Sequence, residues 1–284
     1  MNSNVETTSI RTSGQPKAKS MSKGKSKLIS VLPPLAAFII FVGGWELLVR
    51  LLQIPHYLLP TPTAIVTAAV ENAANLTTAV SVTILEAVIG FTLSVIGGVA
   101  AAILMASSKW VEKSLYPYAV ILQTIPVVAI APIIVIWFGS GMNSIVIITF
   151  LIGFFPMLSN TLIGLNATDK DMLNLMKLYK ASKMKVMWRV RVPYALPYIT
   201  AGLKISCTLA VIGAIVGEYI AGIGGGSGGI GYAITVSAAR METAYLFACG
   251  IAASLLGIVF FLLINMFSKW VLGSWHESEL NNKD

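Results

Sequence analysis

The sequence predicts an all-α membrane protein with six transmembrane helices. Three observations predict it. Of the 284 residues, 56% are hydrophobic and only 11% are charged, whereas a soluble domain carries about 25% charged residues. The apolar residues gather into six runs at 31–52, 79–106, 114–138, 143–165, 194–220 and 243–269, each near the roughly 20 residues that a spanning helix needs. The basic residues avoid half of the connections between those runs. This composition excludes an ordinary cytosolic enzyme, a disordered chain and a disulfide scaffold. It leaves little chain for an extramembrane domain.

Residues 1–30 are polar, rich in Ser and Thr, and carry Arg11, Lys17, Lys19, Lys23, Lys25 and Lys27; they read as a disordered basic cytoplasmic tail. The apolar run that follows could close a cleaved signal peptide. No small-x-small cleavage site ends it, so it reads as a retained first span. Residues 31–78 hold that span and an outer loop, in which Pro60-Thr61-Pro62 leads into a short helix near 63–74. The remaining spans occupy 79–271, and 272–284 form a C-terminal tail.

Orientation follows from lysine and arginine. With the N-terminus in the cytoplasm, six crossings return the C-terminus there. The cytoplasmic segments then hold seventeen of the 20 basic residues, and only Arg50 and Arg240 fall outside. The net charge of +8 is therefore a matter of topology, with no nucleic-acid partner implied. Trp45, Trp137, Trp270 and Trp275 near span ends suit interfacial belts. No internal repeat is visible, so a pathway would need a second subunit for its other wall.

Charges inside spans are functional suspects, because lipid penalises them. Glu86 lies in the second span; Lys204 and Glu218 lie in the fifth. Lys204 reads as a residue snorkelling to the inner surface. Glu218, near the outer end, reads as structural, and Glu86 as pathway-lining or tied to a neighbouring helix. No proton relay can be traced between them. Pro126 and Pro132 interrupt the third span, where missing backbone bonds permit a kink. Glu86, Pro126, Pro132 and Glu218 are the candidate pathway and gating residues.

Other patterns carry less. Cys207 and Cys249 sit inside apolar runs and suit buried packing. His56 and His276 stand apart without ligand partners, and no metal site is expected. Gly224, Gly226 and Gly229 match G-x-G-x-x-G, but no βαβ unit precedes them, so flexibility near an outer gate is the better reading. No G-x4-G-K-[ST] is present, so the chain has no P-loop for ATP.

The informative segment is 168–193, within NATDKDMLNLMKLYKASKMKVMWRVRVP from Asn166 to Pro193. Thr168 reads as the N-cap of a helix with Asp169 and Asp171 in its first turn. Met172, Leu173, Leu175, Met176 and Tyr179 form an apolar side. A second short helix is expected over 182–191, with Pro193 opening the next span. A plain positive loop has no use for apolar Met, Leu, Tyr and Trp188 at its surface, so the segment reads as a docking surface rimmed by lysine.

From about Leu58 to Trp270 the chain resembles the permease subunits of bacterial ATP-binding cassette importers, and more narrowly the nitrate/sulfonate/taurine type. The residues that carry this are LLPTPTAIV (58–66), Gly90-Phe91, Pro126 and Pro132, WFGSG (137–141), KASKMKVMWRVRVPYALPYITAGLKI (180–205) and GIGYAI (229–234). The family's E-A-A-x3-G-x9-I-x-L-P pattern places Asn174, Leu175 and Met176 on E-A-A, Lys180 on the glycine, Val190 and Val192 on Ile and Leu, and Pro193 on the proline. The acidic residue and the glycine are thus replaced. Lys180 implies either a different turn or one that needs no positive φ.

The resemblance implies a type I, binding-protein-dependent importer permease, with 79–271 as its core and 168–193 as its coupling segment. Leu173, Asn174, Leu175, Met176, Tyr179, Lys180, Ala181, Val190, Val192 and Pro193 would face the ATPase. The implied partners are a second permease subunit, forming a homodimer, two ATPase subunits, an external substrate-binding protein and membrane lipid. The chain itself would be no enzyme and hold no cofactor, ATP and Mg belonging to the partner ATPase. It would sit in the cytoplasmic membrane of a bacterium with both termini inside. The runs AVIGAIVGEYIAG (210–222) and VSAARMETAYLFA (236–248), with TILEAVIGF (83–91), look like members handling riboflavin or the pyrimidine precursor of thiamine. Nitrate, sulfonate, taurine or bicarbonate is the alternative solute, and an ion-coupled secondary transporter the alternative of another class.

Overall fold

The computed structural model describes residues 23–221 and 228–273, with side chains from residue 32 onward. Residues 1–22, Gly224 and Gly226, and Trp275 and His276 lie outside the described residues. All regular structure among the described residues is helical.

Two compact units divide the chain, one ending at Leu52 and the other starting at Gln53. The first holds α1 (Lys23–Leu51). Its helix begins before the expected boundary at 31, so Lys23, Lys25 and Lys27 are helical and not part of an irregular tail. Arg50 pairs with Glu46 one turn earlier, at 2.5 Å.

The second unit holds the remaining helices. Helix α2 (Pro62–Glu71) starts where the sequence places it: Thr61 caps it, accepting a hydrogen bond from the Ala64 amide at 3.2 Å, and Pro62 occupies its first turn. Helix α3 (Ala73–Ser107) starts earlier than the expected 79. Polar Asn75, Thr77, Thr78 and Ser81 interrupt the apolar run there, but Thr77, Thr78 and Ser81 return their hydroxyls to helix carbonyls and the helix continues.

The third apolar run is not one rod. Helix α4 (Lys109–Thr124) and helix α5 (Val127–Phe138) meet at a 96° bend. Pro126 excludes the α conformation for Ile125 before it and has no N–H to continue the ladder. Pro132 lies inside α5 without breaking it. Helix α6 (Met142–Asn166) follows a turn in which Gly139 and Gly141 take φ of +82° and +114°, which explains both glycines of WFGSG.

Helix α6 is the centre of the unit, packed between α3 and α9 (Val192–Ala221). Contact is close because small residues face it: a Cβ at Gly90 would lie 2.3 Å from Thr149 Cγ2. Ser94 of α3 and Ser206 of α9 each donate to a carbonyl of α6, Phe150 and Gly153, at 2.8 Å. Helix α10 (Ile230–Ala239) and helix α11 (Thr243–Gly273) complete the unit. Leu255, Ile258, Leu262 and Met266 of α11 are exposed, as expected of a lipid-facing surface. Among the described residues, five helices are long and apolar enough to cross a membrane, or six when α4 and α5 count as one broken crossing. Cys207 and Cys249 are buried free thiols.

Candidate coupling segment and buried carboxyl cluster

Two arrangements stand out, one at each end of the α3–α6–α9 core. The first is the connection between α6 and α9. Helix α7 (Lys170–Leu178) is capped by Asp169, whose carboxylate accepts from the Asp171 amide at 2.8 Å. Thr168, the expected cap, is buried and donates instead to the Leu165 carbonyl at 3.1 Å. A residue closing the preceding helix is not free to open the next.

Helix α7 ends in a Schellman turn. Ala181 N–H reaches the Met176 carbonyl at 3.0 Å and Lys180 N–H the Lys177 carbonyl at 2.9 Å. Lys180 takes φ of +51°. The turn is therefore the glycine type with lysine in it, contrary to both alternatives the sequence suggested. Helix α8 (Lys183–Val186), capped by Ser182, is shorter than the expected 182–191. A π-helical turn over Met187–Arg191 joins it to α9 without a break. Val192 N–H bonds back to Met187, and the wider turn gives the ring of Pro193 room inside a continuous helix. Pro193 stands in the first turn of α9, where the sequence places it, and the π-turn joins that turn to α8.

The apolar side of α7 divides in two. Leu173 and Met176 are half-buried; Met172, Leu175, Leu178 and Tyr179 are exposed, Tyr179 at 75%. Met184 and Trp188 extend the exposed surface, Trp188 donating its indole N–H to Met184 sulfur at 3.2 Å. Asn174 and Lys180 are exposed; Ala181, Val190, Val192 and Pro193 are half-buried. Two residues not singled out from the sequence fix the segment to the core. Met187 is buried among Met105, Ala106, Leu158, Leu162, Leu165 and Ala195. Arg191 donates to the Ala106 carbonyl at 2.8 Å, a cation at the negative end of α3.

The second arrangement centres on Glu218 at the start of α10; Glu218 and Glu86 are both buried. Glu218 accepts from the Thr83 hydroxyl and from the Gly231 amide, each at 2.6 Å. Thr83 in turn accepts from the Ile230 amide at 2.9 Å. The first amides of α10 are thus closed by the Glu218 carboxyl group and the Thr83 hydroxyl. Gly229 and Gly231 must lack side chains: a Cβ at Gly229 would lie 2.0 Å from Glu218 Oε1, and at Gly231 2.2 Å from the Ile215 carbonyl. Gly229 therefore serves close approach, and the G-x-G-x-x-G match plays no part in it. Sequence reading missed Thr83, although Thr83 and Glu86 share a face of α3 at i, i+3 spacing.

The remaining candidates lie apart from both. Pro126 sits at the α4–α5 bend, and around it Ile121, Leu122, Val128 and Ile136 are exposed. Lys204 is half-buried in α9. His56 lines an open cavity with Asn72, Glu242 and Tyr245. No cluster of metal-ligating side chains occurs among the described residues.

Comparison with known proteins gives consistent results. Residues 94–273 match the family described as binding-protein-dependent transport system inner membrane component. A probable ABC transporter permease protein of Haemophilus influenzae is 36% identical over 78% of this chain and 88% of its own length. The formylaminopyrimidine transport permease protein ThiX of Halalkalibacterium halodurans is 36% identical over 87% of this chain and 97% of its own. The riboflavin transport system permease protein RibX of Chloroflexus aurantiacus is 28% identical, over 93% and 96%. A crystal structure of an amino acid ABC transporter shares the fold, with a TM-score of 0.57 at 17% identity, over 72% of this chain and 97% of that one.

Proposed function

The chain belongs to the binding-protein-dependent permeases of ABC importers, of the nitrate/sulfonate/taurine type, and from that premise we propose how it works and what it carries. Two copies form a symmetric dimer in the cytoplasmic membrane of a bacterium, with both termini inside. Each copy lines half of a central pathway. An external binding protein delivers solute to the outer face, where α2 and α10 lie. Two ATPase subunits hold ATP and Mg and take α7 and α8 into a groove.

One observation carries this reading: α7 exposes Met172, Leu175 and Tyr179 while Arg191 and Met187 anchor the same segment to α3, α6 and α9. A surface that is apolar outside and fastened inside can transmit force. ATP binding shifts the membrane helices only by the free energy with which closure of the ATPase favours one arrangement of this segment. The exposed apolar face at the α4–α5 bend supports the dimer contact and the pathway wall. Glu86 and Glu218 act in gating through the position of α10.

For the solute we propose a flat neutral heterocycle, riboflavin or a thiamine pyrimidine precursor. The relatives named for such solutes match nearly the whole chain, and Lys204 is the only basic residue in the interior of a span, Arg50 and Lys269 lying at span ends, which ill suits an anion pathway. The aliphatic sulfonates permease SsuC of Bacillus subtilis, 28% identical over 79% of this chain, keeps the anion reading as the alternative. Proteoliposomes carrying the permease, its ATPase and its receptor decide between them. ATP-dependent accumulation of riboflavin or an aminopyrimidine supports the proposal. Accumulation of nitrate or a sulfonate alone overturns it.

A further inference from the structure

The surface that α7 and α8 present is strongly cationic. Lys170, Lys177, Lys180, Lys183, Lys185 and Arg189 are all exposed. Among the described residues none of them forms an ion pair. Arg191 stands outside this set, because the Ala106 carbonyl holds its guanidinium. Asp169 and Asp171 are the only acidic residues between 168 and 193. Both stand at the start of α7, Asp169 as its cap. From Lys177 onward every charge in the segment is positive.

Asn174 leaves the first of these charges uncompensated. Lys170, Asn174 and Lys177 follow at i, i+4 and i+7 along one edge of α7, all exposed. A carboxylate at 174 would lie within reach of both lysines and neutralise them inside the helix. Asparagine keeps both charges for whatever covers the face. Leu175, Leu178 and Tyr179 are exposed beside them. The occupant must therefore offer an apolar floor with negative charge at its edge. Anionic lipid offers both, but not to this face. Asp171 shares it with Leu175 and Leu178, at i, i+4 and i+7, and is itself exposed. Anionic headgroups repel that side chain where the leucines would have to enter. A protein groove can be neutral there and acidic beside it.

We propose that the ATPase groove receiving α7 and α8 carries aspartate or glutamate on the side that meets Lys177, Lys183 and Lys185, and that Asn174 keeps the lysine edge of α7 free to pair with it. The proposal rests on the reading of 168–193 as the ATPase contact. Complementary charge of this kind speeds encounter and disfavours wrong partners.

Binding of the purified ATPase to the full-length permease in phosphatidylcholine nanodiscs tests it. Salt shortens the Debye length from about 10 Å at 0.1 M to about 3 Å at 1 M, so wild-type affinity should fall at least about tenfold over that range. Lys177→Gln, Lys183→Gln and Lys185→Gln together should lower affinity at least about tenfold at the lower salt and remove most of the salt dependence. Lys180 stays in place, since its turn would change with it. Asn174→Glu, which restores the acidic residue of the family pattern, should weaken binding about threefold or more at the lower salt and match the wild type at the higher. Binding that ignores salt, or tighter binding by Asn174→Glu, overturns the acidic groove and leaves the segment as the docking site. No binding by the wild type at either salt overturns both. Phosphatidylglycerol nanodiscs distinguish the bilayer as the source of negative charge. Protection of these lysines from acetylation by that lipid without ATPase, with the triple variant binding ATPase as the wild type does, assigns the cations to lipid and overturns the proposal.

Discussion

Lys180 shows how one residue can keep a turn that its side chain disfavours. A non-glycine residue in the left-handed region costs roughly 1 kcal/mol or more, yet Lys180 adopts φ of +51°. Two hydrogen bonds, from Lys180 and Ala181 to the end of α7, close the turn and offset the cost. Lys180→Gly should therefore leave coupling intact and tighten the turn by about 1 kcal/mol. Slower hydrogen exchange at the Lys180 and Ala181 amides would show it. Lys180→Val, with a β-branched side chain, should loosen the turn and speed that exchange. Faster exchange in Lys180→Gly would mean that the lysine side chain itself holds the turn. A turn at 180 was legible from the family glycine. That lysine would take its left-handed φ was not, because nothing local to the sequence shows the hydrogen bonds that offset the strain.

At the scale of elements, the proposed function makes the 168–193 segment a lever whose fulcrum is the π-turn at Met187–Arg191. Arg191 meets the end of α3 at Ala106, while Met187 enters the core shared with α6 and α9. Replacing Arg191 by Met should preserve assembly, since the exposed docking face is untouched, but weaken transmission. ATP hydrolysis should continue while uptake falls severalfold, as a hydrogen bond from a charged group is worth roughly 1.5–3 kcal/mol. If uptake and hydrolysis fall in proportion, Arg191 serves assembly and not transmission. Which elements exist was readable from apolar runs and caps. Their joints were less so. The run over 114–138 holds no charged residue, so the sequence could locate Pro126 but not the 96° bend. Likewise Thr83 and Glu218, 135 residues apart, meet only through packing of α3 against α9, a contact no local pattern records.

Across the whole molecule, two buried thiols make the topology easy to measure. Cys207 and Cys249 are fully buried, so a cysteine placed on the surface should label alone. Tyr179→Cys should react with an impermeant maleimide only when the cytoplasmic face is open. Met241→Cys, at an exposed position after α10, should react from outside in intact cells. The reverse pattern would invert the orientation derived from lysine and arginine. The apolar crossings were legible in composition alone, because lipid permits so few backbone solutions. The partners were legible only as the surfaces left for them.

The central claim is that α7 delivers the work of an ATPase to the membrane helices. Purification of the chain from its native membrane measures this most directly. The ATPase should accompany it in equal copy number, and Leu175→Glu with Tyr179→Glu should lower that recovery at least about thirtyfold, since burying two unpaired charges in an apolar interface removes the anchoring contacts. Recovery without any nucleotide hydrolase, or a hydrolase that stays bound to the double variant, would contradict the account.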